Sequence, residues 1–395
     1  MEILYIGYLF PRDEYYTNKA MSFAAGRFEM GLIEGLAKTE DVTVKTLSVE
    51  PRLGKYPKDK LWVKGRKLEI IDGVTSKSIG YINFPFLKHA CLWTGMIFQI
   101  RKWEKRTRGK PRAIMSYNAD APIIQVGLHF QKHGITYAPL IADIPFYDEV
   151  KKGHKSIKEL LSQIGYRSQY KNLPKLHNAI VLNENVGRDF GIPNTLLVEG
   201  AVTEDEIKQD CSSQKKDGKN ILYCGSLDVF HGADKLLQLV KQCPTYTFNI
   251  CGRGSEWSQK FSDASKELSN LRFHGAVDDC TLRELQSNAN LLIIPHPVCL
   301  KQLRYQFPSK LMTCMSTGIP VILTPLPGIP DEYKQYVDIT EDDSVECLKE
   351  HIHSFFLKED DEKKRMGKDA RKFVIENKTW DIQSRRIVSF FSEEC

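Results

Sequence analysis

The residues of this 395-residue chain best suited to chemistry are cations and glycines that follow short apolar runs. Lys301, Arg304 and Lys310 stand close together in Lys301-Gln302-Leu303-Arg304-Tyr305-Gln306-Phe307-Pro308-Ser309-Lys310. Upstream lie Gly252-Arg253-Gly254 and the loop Gly225-Ser226-Leu227-Asp228-Val229-Phe230-His231-Gly232. Cations beside glycine-rich turns suit an anion with several charged oxygens, above all a diphosphate. Glycine admits the ligand to the backbone, and guanidinium pairs with it at two points. Ser309 is expected to cap a helix starting there, leaving its first N–H groups and Lys310 for the same anion. The competing account is that these glycines only tighten strand-to-helix turns, and that His231 and His274 only satisfy backbone groups.

Such residues need a frame that brings strand ends together. Apolar runs rich in β-branched and aromatic residues alternate with amphipathic stretches, the pattern of strand, helix, strand. Strands are expected near 3–7, 42–49, 78–82, 113–117, 136–143, 179–183 and 196–202. Helices are expected near 18–38 and 123–133, with another leading into 101–110. A polar connection over 203–220 precedes a second series of strands near 221–225, 246–251, 271–274, 291–295 and 321–324. The intervening helices have crossover length. The expected class is α/β, with two Rossmann-like doubly wound domains, 1–202 and 203–379, facing a central cleft. Ligands in such sheets bind beyond the carboxyl ends of strands. That rim carries Gly225, Ser226, His231, Gly252, Arg253, Gly254, Gly275, Val277 and the segment 297–310.

Several classes are excluded. There is no G-x-G-x-x-G after the first strand and no G-x-x-x-x-G-K-[ST], which removes the main support for dinucleotide and Walker-type sites. Ten cysteines without a C-x-x-C pair fit neither a disulfide framework nor a zinc site, and point to reduced thiols in the cytoplasm. No leader or membrane span is expected, because the apolar stretch 84–100 is interrupted by Lys88 and His89. Net charge is +6, but residues 1–195 hold 30 Lys and Arg against 19 Asp and Glu, and the remainder 26 against 31. The densest basic run, Arg101 to Lys110, follows Trp93, Met96, Ile97, Phe98 and Ile100. That combination suits the anionic inner face of a membrane, or a helix packed on the sheet with a solvated basic end. A nucleic-acid partner is not expected, since no binding motif accompanies the charge.

The segment Phe307-Pro308-Ser309-Lys310-Leu311, followed by Gly318-Ile319-Pro320-Val321, resembles the donor-binding signature of retaining glycosyltransferases of family 4. Downstream, Pro327-Gly328-Ile329-Pro330-Asp331 resembles that family's Gly-Gly-x-Pro-Glu turn. Trp380-Asp381 resembles the start of its last helix, which crosses back to the first domain, so 380–395 would join residues 1–202. A looser likeness in the first half rests on Ala25-Gly26-Arg27-Phe28-Glu29 and Leu140-Ile141-Ala142-Asp143. It implies an acceptor side with Gly26, Arg27, Asn118 and Asp143.

The resemblance implies a GT-B fold and transfer of a sugar from a nucleotide diphosphate sugar, a UDP-sugar first, to a hydroxyl of a saccharide, lipid-linked or protein acceptor. It implies retained configuration and neither metal nor cofactor. No D-x-D-like cation site stands at a suitable strand end, and Asp278-Asp279 reads as a helix cap. Bacterial surface polysaccharide or glycoconjugate assembly is the expected setting. Arg253, Lys310 and Asp143 are the expected catalytic residues, and Lys301, Arg304, Tyr305, Phe307, Ser309, Leu311 and Thr313 the expected donor contacts. The chain departs from the family at the two glutamates that address donor sugar and ribose, replaced by Tyr305 and Thr313. It departs again at Ser226 and His231, where many relatives carry arginine and lysine, and at Ala142, where some carry histidine. Those departures keep open a degenerate subunit supporting a partner enzyme, or an epimerase of the nucleotide sugar.

Overall fold

The structure, a computed structural model, describes residues 1–394 except 12–13, 15–22, 51–53, 55, 85, 145–165, 212–217 and 300. The side chains of residues 23, 24, 255, 301 and 302 also lie outside the description. The chain divides into two compact units, Met1–Ala201 with Trp380–Cys395, and Val202–Thr379.

The first unit contains β1 (Glu2–Gly7), β2 (Thr43–Ser48), β3 (Trp62–Val63), β4 (Lys67–Ile71), β5 (Val74–Ser78), β6 (Tyr81–Ile82), β7 (Arg112–Tyr117), β8 (Thr136–Ile141), β9 (Asn178–Val181) and β10 (Asn194–Leu197). Eight of them form one sheet in the order β10-β9-β8-β7-β1-β2-β5-β4, parallel except where β4 returns along β5. Every residue of β1 is buried, as a parallel strand covered on both faces requires. The expected strand over 78–82 is instead two strands. Ser78 closes β5 in the large sheet, and Tyr81–Ile82 pairs antiparallel with β3. Gly65 and Gly80 cross backbone to backbone there, a Cβ on Gly80 falling 2.8 Å from the Gly65 nitrogen.

Helix Leu87–Arg106 resolves the two readings of the apolar-basic stretch in part. Met96, Ile97, Ile100 and Trp103 face the core, whereas Phe98 and the cations Arg101, Lys102, Lys105 and Arg106 face outward. Lys110 is tied to Glu2 at 2.8 Å.

Of the expected helix over 18–38, residues 18–22 lie outside the described residues, and Phe23–Lys38 is helical. The C-terminal helix Trp380–Glu394 packs on it, with the Phe28 and Trp380 rings edge to face at 4.8 Å. Two small residues make room: a Cβ on Gly31 would lie 2.0 Å from Trp380 Nε1, and one on Gly35 2.4 Å from Ser384 Oγ. Gly31→Val is therefore expected to displace the C-terminal helix and to lower the stability of this unit by about 1–3 kcal/mol. Denaturant unfolding would show it, and an unchanged midpoint would contradict the packing.

The second unit contains β11 (Asn220–Cys224), β12 (Thr247–Cys251), β13 (Leu271–Gly275), β14 (Leu291–Ile294), β15 (Val321–Leu323) and β16 (Asp338–Ile339). All are parallel, in the order β13-β12-β11-β14-β15-β16. This is the doubly wound order whose reversal lies between its first and fourth strands, here β11 and β14. Amphipathic helices Ala233–Gln242 and Val345–Leu357 bury Leu236, Leu239, Val240, Leu348 and Phe355 against Tyr223, Phe248, Ile250 and Ile293. Each fully buried aliphatic or aromatic side chain contributes roughly 1.5–3 kcal/mol. The connection over 203–220 is not featureless. Thr203 and Glu206 form a reciprocal capping box on helix Glu204–Lys208, while residues 212–217 lie outside the description.

Candidate functional site

The reversal between β11 and β14 opens a crevice at their carboxyl ends, and the loops that follow those strands meet there. After β11 the chain turns through Gly225 and Ser226 into the short turn Val229–His231. Asp228 stabilises this turn twice, accepting from the His231 backbone N–H at 3.0 Å and holding the His231 ring through Nδ1 at 2.7 Å. After β14 come Pro295 and His296. The two loops touch because residue 232 is glycine: its φ is +80°, and a Cβ would stand 2.0 Å from the Pro295 carbonyl oxygen. Gly232→Ala should cost about 1–3 kcal/mol of backbone strain and push the loops apart. Thermal unfolding together with nucleotide titration would reveal both effects, and a variant matching wild type in each would contradict the contact.

Lys310 begins the helix Lys310–Ser316 and turns its ammonium beneath Gly225, where a Cβ would lie 1.7 Å from Nζ. Nζ stands 5.5 Å from the centroid of the Tyr223 ring, is buried, and has no hydrogen-bond partner among the described residues. Burial lowers its pKa, against the opposing charge of Asp228. His296 is 7% exposed, and neither ring nitrogen has a partner. Burial, then the neighbouring His231 and Lys310, hold it down to about 3, so the imidazole is neutral with one N–H to offer. The His231 and His296 rings meet edge on at 5.2 Å. Buried polar groups without partners cost about 1–3 kcal/mol each, more for a charge, so such groups call for a partner such as a ligand, an ion or an ordered water.

The other glycines build the rim. Gly225 N–H donates to the Cys251 carbonyl at 2.9 Å, Gly252 N–H to the Gly275 carbonyl at 2.7 Å, and Leu227 N–H to the Arg253 carbonyl at 2.8 Å. The turns after β11, β12 and β13 are thereby laced side by side. A Cβ on Gly252 would fall 1.7 Å from the Gly225 oxygen, and one on Gly254 1.7 Å from the Leu227 oxygen. Arg253 is exposed on this rim, and its guanidinium has no partner among the described residues. Val277 follows β13, and Asp278 caps helix Asp279–Asn288 by accepting from Thr281 N–H at 2.8 Å. His274 is engaged by Asn249, 3.0 Å from Nε2.

In the segment that carried the resemblance, Lys301–Tyr305 is a short 3-10 helix with Arg304 exposed and Tyr305 half-buried. The Lys301 side chain lies outside the described residues. Phe307 packs on Tyr333 with centroids 5.3 Å apart, and the Leu311 side chain is wholly buried, so both support the loop from the core side. The expected Ser309 cap does not form. Its φ and ψ are already helical, it makes no capping hydrogen bond, and Leu311 N–H donates to Pro308 carbonyl at 2.7 Å. Thr313 Oγ1 donates to Glu206 Oε1 at 2.9 Å, so a carboxylate stands beside Thr313. His296, Asp228 and Glu206 escaped the sequence reading. The signal for His296 was its place directly after the fourth strand of the series, while Glu206 reaches Thr313 from a stretch that read only as a connection.

In the first unit, Tyr8, Asn118, Asp120 and Asp143 gather beyond β1, β7 and β8. Asn118 adopts φ +58° and accepts from Ala142 N–H and Asp143 N–H through Oδ1 at 2.9 and 3.0 Å, so this expected acceptor contact serves to brace two strand ends. Tyr8 Oη donates to Asp120 Oδ2 at 3.0 Å, and burial, opposed by that bond and aided by Asp143, raises the Asp120 pKa. Asp143 is exposed at the end of β8. Gly26 and Arg27 sit in the first turns of helix Phe23–Lys38, within the helix expected over 18–38, Gly26 buried and Arg27 exposed. Glu29 on that helix is fully buried, accepting from Tyr5 Oη at 2.9 Å and from Tyr8 N–H at 3.2 Å.

Away from the rim, Glu341, Cys347 and His351 are the one group of three metal-capable side chains among the described residues. His351 bridges Asp338 at 2.7 Å and Glu341 at 2.8 Å; burial opposes its charge, but the two carboxylates raise its pKa, as in an ion-paired cluster.

No curated protein matches the chain in sequence. Among solved structures it is similar to the sucrose-phosphate synthase of Thermosynechococcus elongatus, with TM-score 0.64 and 14% identity over 100% of this chain and 98% of that one. It is likewise similar to the UDP-forming α,α-trehalose-phosphate synthase of Burkholderia xenovorans, solved with glucose-6-phosphate, at TM-score 0.64 and 9% identity over 99% and 100%. The catalytic domain of starch synthase IV from Arabidopsis thaliana, solved with ADP and acarbose, gives 0.60 and 10% over 100% and 99%. These likenesses establish the two-domain GT-B fold. Residues 204–373 match the profile of the family described as Glycosyl transferases group 1, and the second unit therefore carries a glycosyltransferase group 1 domain.

Proposed function

We propose that this chain transfers a sugar from a nucleoside diphosphate sugar, with UDP as the first nucleotide to test, to a hydroxyl acceptor, retaining the anomeric configuration. The observation that carries the reading is the buried ammonium of Lys310, without a partner under Gly225 and beside the unsatisfied ring of His296. A diphosphate supplies the oxygens that both groups lack. In the reaction the bond from the anomeric carbon to the diphosphate oxygen breaks, and a bond to the acceptor oxygen forms. Negative charge grows on the departing diphosphate, where a fixed cation in a dry site stabilises the transition state more than the bound donor. Arg253 adds a second cation from the exposed rim, with Lys301 and Arg304 as further candidates. The acceptor's proton goes to the departing phosphate oxygen. Asp143 orients the acceptor hydroxyl.

Thr313 with Glu206 takes over the ribose, Glu206 supplying the carboxylate and Thr313 holding it in place. The Burkholderia relative forms UDP and the Arabidopsis one is solved with ADP, which supports a nucleoside diphosphate as the leaving group. The basic first half suits an acceptor carried on a lipid phosphate, and surface polysaccharide or glycoconjugate assembly on the cytoplasmic side of the membrane is the setting we favour. No metal is assigned to the donor. The test is nucleoside diphosphate release from a panel of donors offered with hydroxyl acceptors, and the configuration of the product. Turnover with retention is expected. Conversion of the donor to an epimer without acceptor, or no binding of any donor, would overturn the reading.

A further inference from the structure

Eleven large apolar side chains are exposed among the described residues, and eight of them fall between residues 56 and 98. Trp62, Phe86 and Phe98 are 64%, 68% and 66% exposed, figures that scattered surface residues of this size seldom combine.

The fold brings them together. Trp62 pairs with Ile82 in the two-stranded β3–β6 sheet, and Phe84 follows that pair directly. Asn83 is the hub: it is 1% exposed, its N–H donates to the Leu61 carbonyl at 2.7 Å, and its Nδ2 donates to the Gly54 and Lys60 carbonyls at 2.9 and 3.2 Å. A buried polar knot thus presents an apolar outer surface. Phe86 adopts φ +65°, a conformation that is unfavourable for an aromatic residue, and it does so with its ring in solvent. Leu87 and Phe98 continue the surface along the outer side of helix Leu87–Arg106, whose last turns then present Arg101, Lys102, Lys105 and Arg106.

Charge identifies the occupant. Residues 56–64 and 84–108 hold nine Lys and Arg against two acidic residues, Asp59 and Glu104. No helix among the described residues is long and apolar enough to cross a membrane. Aromatic and leucine side chains rimmed by lysine and arginine match the interface of an anionic bilayer, where rings sit at headgroup level and cations meet lipid phosphate. We propose that the first unit docks on an anionic lipid surface through Trp62, Phe84, Phe86, Leu87 and Phe98, with Arg101 to Arg106 lying along the headgroups. The earlier expectation placed this contact on Arg101 to Lys110 with the preceding apolar stretch. The exposed side chains shift its centre to the β3–β6 tip, since Met96, Ile97 and Ile100 are core.

The proposal concerns the first unit alone and does not depend on the donor reading, so vesicle binding and turnover can each fail without the other. Full-length protein is sedimented with vesicles of phosphatidylcholine mixed with phosphatidylglycerol, and with phosphatidylcholine alone. Binding to the mixed vesicles is expected, weakened by salt, with a blue shift of tryptophan emission. The double variant Trp62→Ser/Phe86→Ser and the variant with Arg101, Lys102, Lys105 and Arg106 changed to glutamine should each lose at least about tenfold in affinity. Their thermal unfolding should match wild type, because the replaced side chains are exposed. Absence of binding by wild type, or equal binding by the variants, would overturn the proposal. So would a self-association of the wild type that Trp62→Ser/Phe86→Ser abolishes, since the face would then join two copies of the chain.

Discussion

Lys310→Met is expected to stabilise the ligand-free protein while reducing turnover by on the order of 10²–10³-fold, the loss typical when one fixed donor to a developing anion is removed. The two effects have one origin. In the absence of donor the ammonium is desolvated under Gly225 without a partner, and burial already pulls its pKa down. Methionine fills the same space without a charge to desolvate, which should return about 1–3 kcal/mol. A lysine kept for packing alone would give no such opposition: its loss would leave turnover intact. Thermal unfolding and donor turnover on the same preparation decide the matter.

The second large effect concerns Glu29, whose carboxyl burial raises to about 8 against an unfolded value of 4.5, although Tyr5 Oη and Tyr8 N–H both favour the charged form. Folding takes up a proton at this site between those two values. Stability should accordingly be highest below about 4.5 and fall as pH rises through 8, by on the order of 4–5 kcal/mol from this group. Glu29→Gln keeps the shape and removes the titration, so the variant should lose that slope. Denaturant midpoints measured from acid to mildly alkaline pH would show it, and a wild type with a flat profile over the interval would contradict the buried, protonated carboxyl. Gly7 adds a structural reason for the burial: a Cβ there would lie 1.9 Å from Glu29 Oε2.

The second unit was the more legible half. Its five expected strands each occur, because short β-branched runs punctuated by Gly and Pro leave little choice, and only the two-residue β16 was missed. In the first half the run 78–82 looked like one strand, yet a glycine crossing splits it between two sheets, a tertiary event that no local pattern carries. The rim glycines and Lys310 were legible in the sequence as residues that belong together, and the structure brings Gly225, Gly252, Gly254 and Lys310 to one rim. The partners that give them meaning were not. His296 lacks any motif, and the Thr313–Glu206 hydrogen bond joins residues 107 positions apart. Ser309 illustrates the reverse error: a good capping residue in a good position is bypassed, because Pro308 already supplies the carbonyl for the first turn.

The most direct test of the donor site is calorimetric titration of UDP, ADP and GDP into wild type and Lys310→Met. The account predicts that wild type binds at least one of them and that the variant binds it about a hundredfold more weakly while remaining folded. Equal affinity in the two proteins, or no binding by wild type to any nucleoside diphosphate, would contradict the assignment of Lys310 and its rim as a diphosphate site.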